Sequence, residues 1–104
     1  MNPIILRLAK DDLKEIHDRL VEFGDNPPRK FKKSFKTFCS NVMNTPYMYP
    51  SYDVIPKYRR AVIEYDYLVF YQVEKTGGNS KVKIYRVLHG KRDVPPLIDA
   101  ENDY

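Results

Sequence analysis

The sequence predicts an α+β domain: an N-terminal strand, a two-helix hairpin, then a three-strand antiparallel meander that completes one sheet packed on the helices. Two apolar stripes with helical spacing lie between residues 10 and 44, and three strand-like runs lie between residues 58 and 89. The links between those runs are too short for a crossover helix, so neighbouring strands are antiparallel. With 104 residues, 42% of them hydrophobic, the chain is a single domain (1–104) that can bury one core without staples, and residues 94–104 form a C-terminal tail.

Taken in order, Pro3-Ile4-Ile5-Leu6-Arg7-Leu8 is short, apolar and β-branched, which favours a strand, and Pro3 suits a strand beginning or edge. From about Lys10 the period changes. Leu13, Ile16, Leu20 and Phe23 form one helical stripe. Asp11 and Asp12 are placed in the first turn, at the positive end of the helix dipole, and Gly24 stops the helix. Lys14, Glu15, Asp18, Arg19 and Glu22 read as its solvated side, with His17 beside the stripe in a surface role.

Asp25-Asn26-Pro27-Pro28 is a second helix start, with Asn26 as cap and Pro27 at the first helical position. Phe31, Phe35, Phe38, Val42 and Met43 form its apolar stripe, with Cys39 alongside. The short link makes the two helices an antiparallel hairpin on the sheet. Arg29, Lys30, Lys32, Lys33 and Lys36, with no acid among them, are the clearest local anion-binding patch. Pro46, Pro50 and Pro56 then argue for an ordered loop, pinned to the core by Tyr47, Tyr49 and Tyr52.

The first strand of the meander covers residues 58–64, with Tyr58, Arg60 and Val62 facing one way and Arg59, Ala61 and Ile63 the other. The second, residues 66–74, is apolar or aromatic on both faces, the pattern of a central strand covered twice. The third, residues 81–89, sets Tyr85, Val87 and His89 against Ile84, Arg86 and Leu88, and the Gly-rich link at residues 76–80 makes a hairpin.

Composition narrows the chemistry. One Cys permits no internal disulfide, and Cys39 reads as a buried structural thiol. No apolar run reaches membrane-spanning length and no signal peptide is evident, so a cytoplasmic protein with no membrane partner is expected. No Gly-rich phosphate loop, metal-ligand cluster or nucleophile elbow is present, so neither cofactor nor metal is expected. All 18 Lys and Arg lie at or before Arg92, against 10 of the 14 acidic residues, giving that body +8; Asp93, Asp99, Glu101 and Asp103 bring the total to +4. Such a basic body suggests an anionic partner.

The element order, with Leu68-Val69-Phe70-Tyr71-Gln72-Val73 and the closing Val87-Leu88-His89-Gly90-Lys91-Arg92-Asp93, resembles the RelE/ParE superfamily of type II toxin–antitoxin toxins over residues 1 to about 98, closest to the ParE branch. That resemblance implies a plasmid-stabilisation toxin, neutralised by a cognate antitoxin in a complex that can be of higher order. ParE-like members bind DNA gyrase and stall it on DNA; RelE-like members cleave mRNA in the ribosome.

Metal-independent RNA cleavage needs groups that move protons and stabilise a dianionic phosphorane. In RelE-like nucleases these are basic residues on the first hairpin strand, an Arg early in the next strand, an Arg after the last strand and a later Tyr. Arg59 matches the first and Arg92 the third, whereas Leu68 stands at the second and Ile98 near the fourth. Glu64, His89 and Arg92 make a rival acid–base set. The resemblance therefore implies binding without catalysis. Lys91, Arg92, Leu97 and Ile98 are expected to contact the target, and the face bearing Arg59, Leu68, Phe70, Arg86 and Leu88 is expected to meet the antitoxin. The alternatives are a ribosome-dependent endoribonuclease, with ribosome and mRNA as partners, and a plain nucleic-acid-binding domain resting on the lysines of the second helix.

Overall fold

A computed structural model describes residues 2–98 and Asn102. The elements run β1 (Ile4–Ile5), α1 (Arg7–Val21), α2 (Asn26–Asn44), β2 (Arg59–Ile63), a 3-10 turn (Glu64–Asp66), β3 (Tyr67–Thr76), β4 (Asn79–His89) and α3 (Pro95–Ile98). One four-stranded sheet has the order β1-β4-β3-β2, with β2, β3 and β4 antiparallel and β1 parallel to β4.

The α+β arrangement and the meander agree with the sequence expectation; several boundaries do not. The first strand is cut to two residues, because the helical spacing begins earlier than Lys10. Ala9, Asp12, Ile16 and Leu20 are the buried positions of α1, and that series pulls Arg7 and Leu8 into the helix. Asp11 and Asp12 consequently lie beyond the first turn, and Asp12 is buried rather than set at the dipole. Phe23 falls outside α1 and is 73% exposed, because Gly24 turns the chain at φ 108°. The Asn26 cap does not form: Asn26 is already helical, and Asp25 occupies the cap position without a side-chain bond.

Ala9, Ile16, Leu20, Phe31, Phe38 and Val42 pack the hairpin onto Ala61, Tyr67, Val69, Tyr71, Val82, Ile84 and Val87 of the sheet. On the opposite face Phe70 and Leu88 meet Tyr58, Val94 and Ile98 in a second cluster, flanked by Tyr52, Ile55, Leu68, Tyr85 and Leu97. β3 is therefore covered on both sides, as its two apolar faces require. Gly77 and Gly78, at φ 55° and 86°, make a two-residue hairpin turn, so β3 and β4 extend to within one residue of it.

One irregularity alters the facing of β4. Phe70 pairs with Arg86 and Tyr71 with Ile84, so Tyr85 is an extra residue, a β-bulge. Ile84 and Val87 thus both face the helices while Tyr85 joins the second cluster. Strict alternation, which put Tyr85 with Val87, fails at that residue.

The aromatic loop is tied to the core through Tyr49 and Tyr52, as expected, whereas Tyr47 is exposed. Tyr49 packs tilted against Phe38 and edge-on to Tyr71 at ring-centroid distances of 5.4 and 6.2 Å, and the Tyr71 hydroxyl donates to Pro46 O at 2.9 Å. Burial pushes the Tyr71 phenol up to about 12, so it stays a donor throughout the physiological range.

Truncation of Phe38 to Ala is expected to cost about 3–5 kcal/mol in urea denaturation. Phe23→Ser should stay within about 0.5 kcal/mol of the parent.

Candidate functional site

Of the residues anticipated from sequence, Lys91 and Arg92 stand at the rim of the sheet, just beyond the end of β4. β4 ends at His89, and the Gly90 N–H donates to Asp66 O at 2.9 Å, tying the strand end to the β2–β3 turn. A Cβ on Gly90 would stand 3.2 Å from that oxygen, which explains a glycine there. Lys91 and Arg92 follow in an exposed turn closed by Arg92 N–H donating to His89 O at 3.0 Å. His89 Nδ1 accepts from Lys91 N at 3.2 Å, and its ring meets Tyr67 edge-on at 5.1 Å. With Nδ1 accepting, a neutral imidazole carries its proton on Nε2.

His89 and Arg92 share a small cleft with Tyr67, Arg19 and Glu15. Arg19 Nη1 donates to the Tyr67 hydroxyl at 3.4 Å and Nη2 contacts Glu15 at 3.2 Å. Arg19 was not anticipated, because its neighbours on α1 read as an ordinary charged face.

The remaining candidates stand elsewhere. Glu64 lines a separate groove of about 460 Å³ between α2 and β2, where its N–H donates to Ser34 Oγ at 3.0 Å and its carboxylate lies 4.0 Å from Lys30. Arg59 is at the far end of β2, donating to Tyr49 O at 2.6 Å with its guanidinium 4.8 Å from the Tyr47 ring centroid. It anchors the aromatic loop.

The residues assigned to the antitoxin share neither one face nor an open surface: Arg59 pairs with Tyr71 and lies with Ala61 on the helix side, opposite Leu68, Phe70 and Leu88. Phe70 and Leu88 are fully buried under Tyr58, Val94 and Ile98, while Leu68 and Arg59 are part-exposed. Nor does the tail project freely: Val94 and Ile98 are buried and Leu97 is half-buried, so Ile98 is a core residue rather than a contact residue. The apolar tail folds back because it covers the second face of the sheet. Residues 99–101 and 103–104, which hold most of the acidic tail, lie outside the described residues.

Arg86 is also buried. Its Nε and Nη2 donate to the two carboxylate oxygens of Asp12 at 2.7 and 2.8 Å, and Nη1 donates to Leu97 O at 2.8 Å. The Val87 N–H adds a third bond to Asp12 at 3.0 Å. The Asp12 bond raises the Arg86 guanidinium above its already high value, so the pair stays charged on the Arg side. The sequence signal was an acid inside a buried helical stripe and a cation inside an apolar strand.

Cys39 is half-buried on α2, and burial pushes its thiol up to about 11. Among the described residues no group of three His, Cys, Asp or Glu is placed to hold a metal ion.

The family model for the ParE toxin of type II toxin–antitoxin systems matches residues 4–94. The chain belongs to the ParE toxin family. Among solved structures, a YoeB/ParE toxin from Agrobacterium tumefaciens shares the fold, with a TM-score of 0.62, 14% identity, and coverage of 86% of this chain and 98% of that one. No curated protein matches. Membership of the ParE family makes the chain the toxin of a type II pair and implies a cognate antitoxin as partner. No helix among the described residues is long and apolar enough to cross a membrane.

Asp12→Ala should destabilise the fold by about 3–5 kcal/mol in urea, because it strands a buried guanidinium; Asp12→Leu combined with Arg86→Met should recover more than half of that loss. At pH 8 a thiol reagent should modify Cys39 about a hundredfold more slowly than a free cysteine, since fewer thiolates form.

Proposed function

We propose that this ParE-family toxin acts in the cytoplasm to stabilise its plasmid, arresting growth by binding DNA gyrase rather than by catalysis. Lys91 and Arg92 supply the charged target contacts, with Leu97 at the margin of the docked tail beside them. The reading is carried by one observation: the groups a ribonuclease would gather stand apart. Arg59 holds the loop at one end of β2, Glu64 faces α2, and His89 with Arg92 sits beside α1. Transition-state stabilisation needs its donors and proton carriers around one reacting atom. Two exposed cations on a turn fixed by backbone hydrogen bonds suit a protein-binding anchor instead.

A second reading, the ribosome-dependent endoribonuclease, has its own observation: His89, Arg92, Arg19 and Tyr67 converge on one cleft. The other proton carriers that line it are engaged: Glu15 by Arg19, Asp12 by Arg86, and the Tyr67 hydroxyl accepts from Arg19. For the antitoxin, an acidic or amphipathic segment reaching the part-exposed Leu68 fits the accessible part of the face first assigned to it, since Arg59 stands on the helix side of the sheet with Ala61 and Tyr71.

Purified toxin is expected to inhibit gyrase supercoiling and to leave mRNA uncut in a reconstituted translation reaction. Arg92→Ala should weaken inhibition about tenfold, with an unchanged circular-dichroism spectrum, because the side chain is exposed. Codon-phased mRNA cuts that vanish in Arg92→Ala, with gyrase unaffected, would replace this reading with the second.

A further inference from the structure

Opposite its buried stripe, α2 carries Arg29, Lys32, Lys33 and Lys36 at i, i+3, i+4 and i+7, so the four share one face, and all are exposed. Lys33 and Thr37 line both this surface and the adjoining α2–β2 groove, where Lys30 adds a fifth cation. Lys30 has Glu64 at 4.0 Å; among the described residues none of the other four has a carboxylate partner. The helix itself contains no acidic residue.

This arrangement works against the helix that carries it. Like charges at i, i+3 and i, i+4 repel, and Arg29 and Lys30 lie close to the N-terminal end, where the dipole is already positive. An acid in the first turn would relieve both effects. α2 instead begins Asn26-Pro27-Pro28 and has none there. Asp25 at the cap position and Glu64 beside Lys30 offset part of this, but Arg29, Lys32, Lys33 and Lys36 have no carboxylate partner among the described residues, and local rules left broken in this way mark positions kept for something outside the molecule.

The make-up of the face selects the partner. Phe31 and Phe38 are buried, and Phe35 packs against the same core, so no aromatic ring of α2 is offered for stacking bases of a single strand. The outer face is lined by Arg29, Lys32, Lys33, Lys36 and Thr37, with no apolar side chain among them; the exposed Val62 stands off that face, across the adjoining groove on β2. A convex row of charges about 10 Å long suits a rigid line of phosphates, such as a duplex with one charge per about 1.7 Å of axis.

We propose that the outer face of α2 docks on double-stranded DNA, gripping the phosphate backbone without reading sequence. Duplex binding of this kind is independent of gyrase binding through Lys91 and Arg92, and each can fail without the other. If both hold, the toxin touches the enzyme and its DNA with different faces.

Fluorescence anisotropy of a labelled duplex of about 20 base pairs, titrated with the full chain between about 50 and 200 mM salt, tests it. The logarithm of affinity should fall linearly with the logarithm of salt, at a slope of about −3 to −4 for roughly four phosphate contacts. Lys32→Gln with Lys36→Gln should weaken binding at least about fivefold and reduce the slope by about 2. The same variant should melt no lower than the parent, because repulsion is relieved, whereas a merely structural role would lower it. Lys14→Gln on α1 should change neither quantity. Unchanged affinity in the double variant would overturn the proposal. So would tighter binding of a poly-glutamate peptide than of the duplex, which would assign the face to an acidic protein.

Discussion

The buried pair of Asp12 and Arg86 holds three parts of the molecule in register. β1 offers β4 only two residues of pairing, so beyond Ile84 the outer edge of β4 needs an acceptor from elsewhere. Asp12 supplies it to the Val87 N–H and holds the neighbouring guanidinium with both oxygens. Arg86 then reaches the Leu97 carbonyl, so one ion pair joins α1, β4 and the C-terminal turn. A buried ion pair contributes little net stability against an apolar substitute of the same shape. Its value here is geometric: it fixes where α1 crosses the sheet and where the tail lands.

That landing gives a 104-residue chain two cores. The helices cover one face of the sheet, while Tyr58, Val94 and Ile98 close the other over Phe70 and Leu88. The Tyr58 hydroxyl donates to Ile98 O at 3.4 Å, and Asn102 bonds Leu8 N and Tyr85 O, both at lengths under 3 Å. Lys91 and Arg92 sit between the end of β4 and this anchored turn. Their exposure is thus held from both sides, and a short rigid link carries the two charges proposed to meet the target.

Much of the fold was legible in residues whose pattern has one physical solution. Period-3.6 spacing gave both helices, β3 with two apolar faces could only be central, and two glycines marked the hairpin. Features that depend on a single extra residue or a single partner were not legible. The bulge at Tyr85 leaves no trace in alternation until pairing is known. Asp12 fits a solvated first turn as well as a buried stripe until the helix start is fixed at Arg7. In the candidate site, His89 and Arg92 line one cleft, and the tail that was expected to offer Leu97 and Ile98 to a target folds back instead, because Val94 and Ile98 find a bare sheet face.

The free margins of the sheet are where a protein of this kind is vulnerable, since an unpaired strand is a template for another copy. Along β4 the vacant stretch is occupied by a carboxylate that would have to be expelled before a foreign strand could add. Along β2 the Arg60 N–H is taken by Pro50 O, Ser51 bridges Arg59, and Ser34 takes the Glu64 N–H, leaving a stretch around Val62 too short to template a strand. The contacts that position α1 and the aromatic loop therefore also shorten the open edges of the sheet, leaving the hairpin end of β4, residues 79–82, uncovered by β1. A variant that loosens Asp12 or the loop should lose solubility before it loses secondary structure.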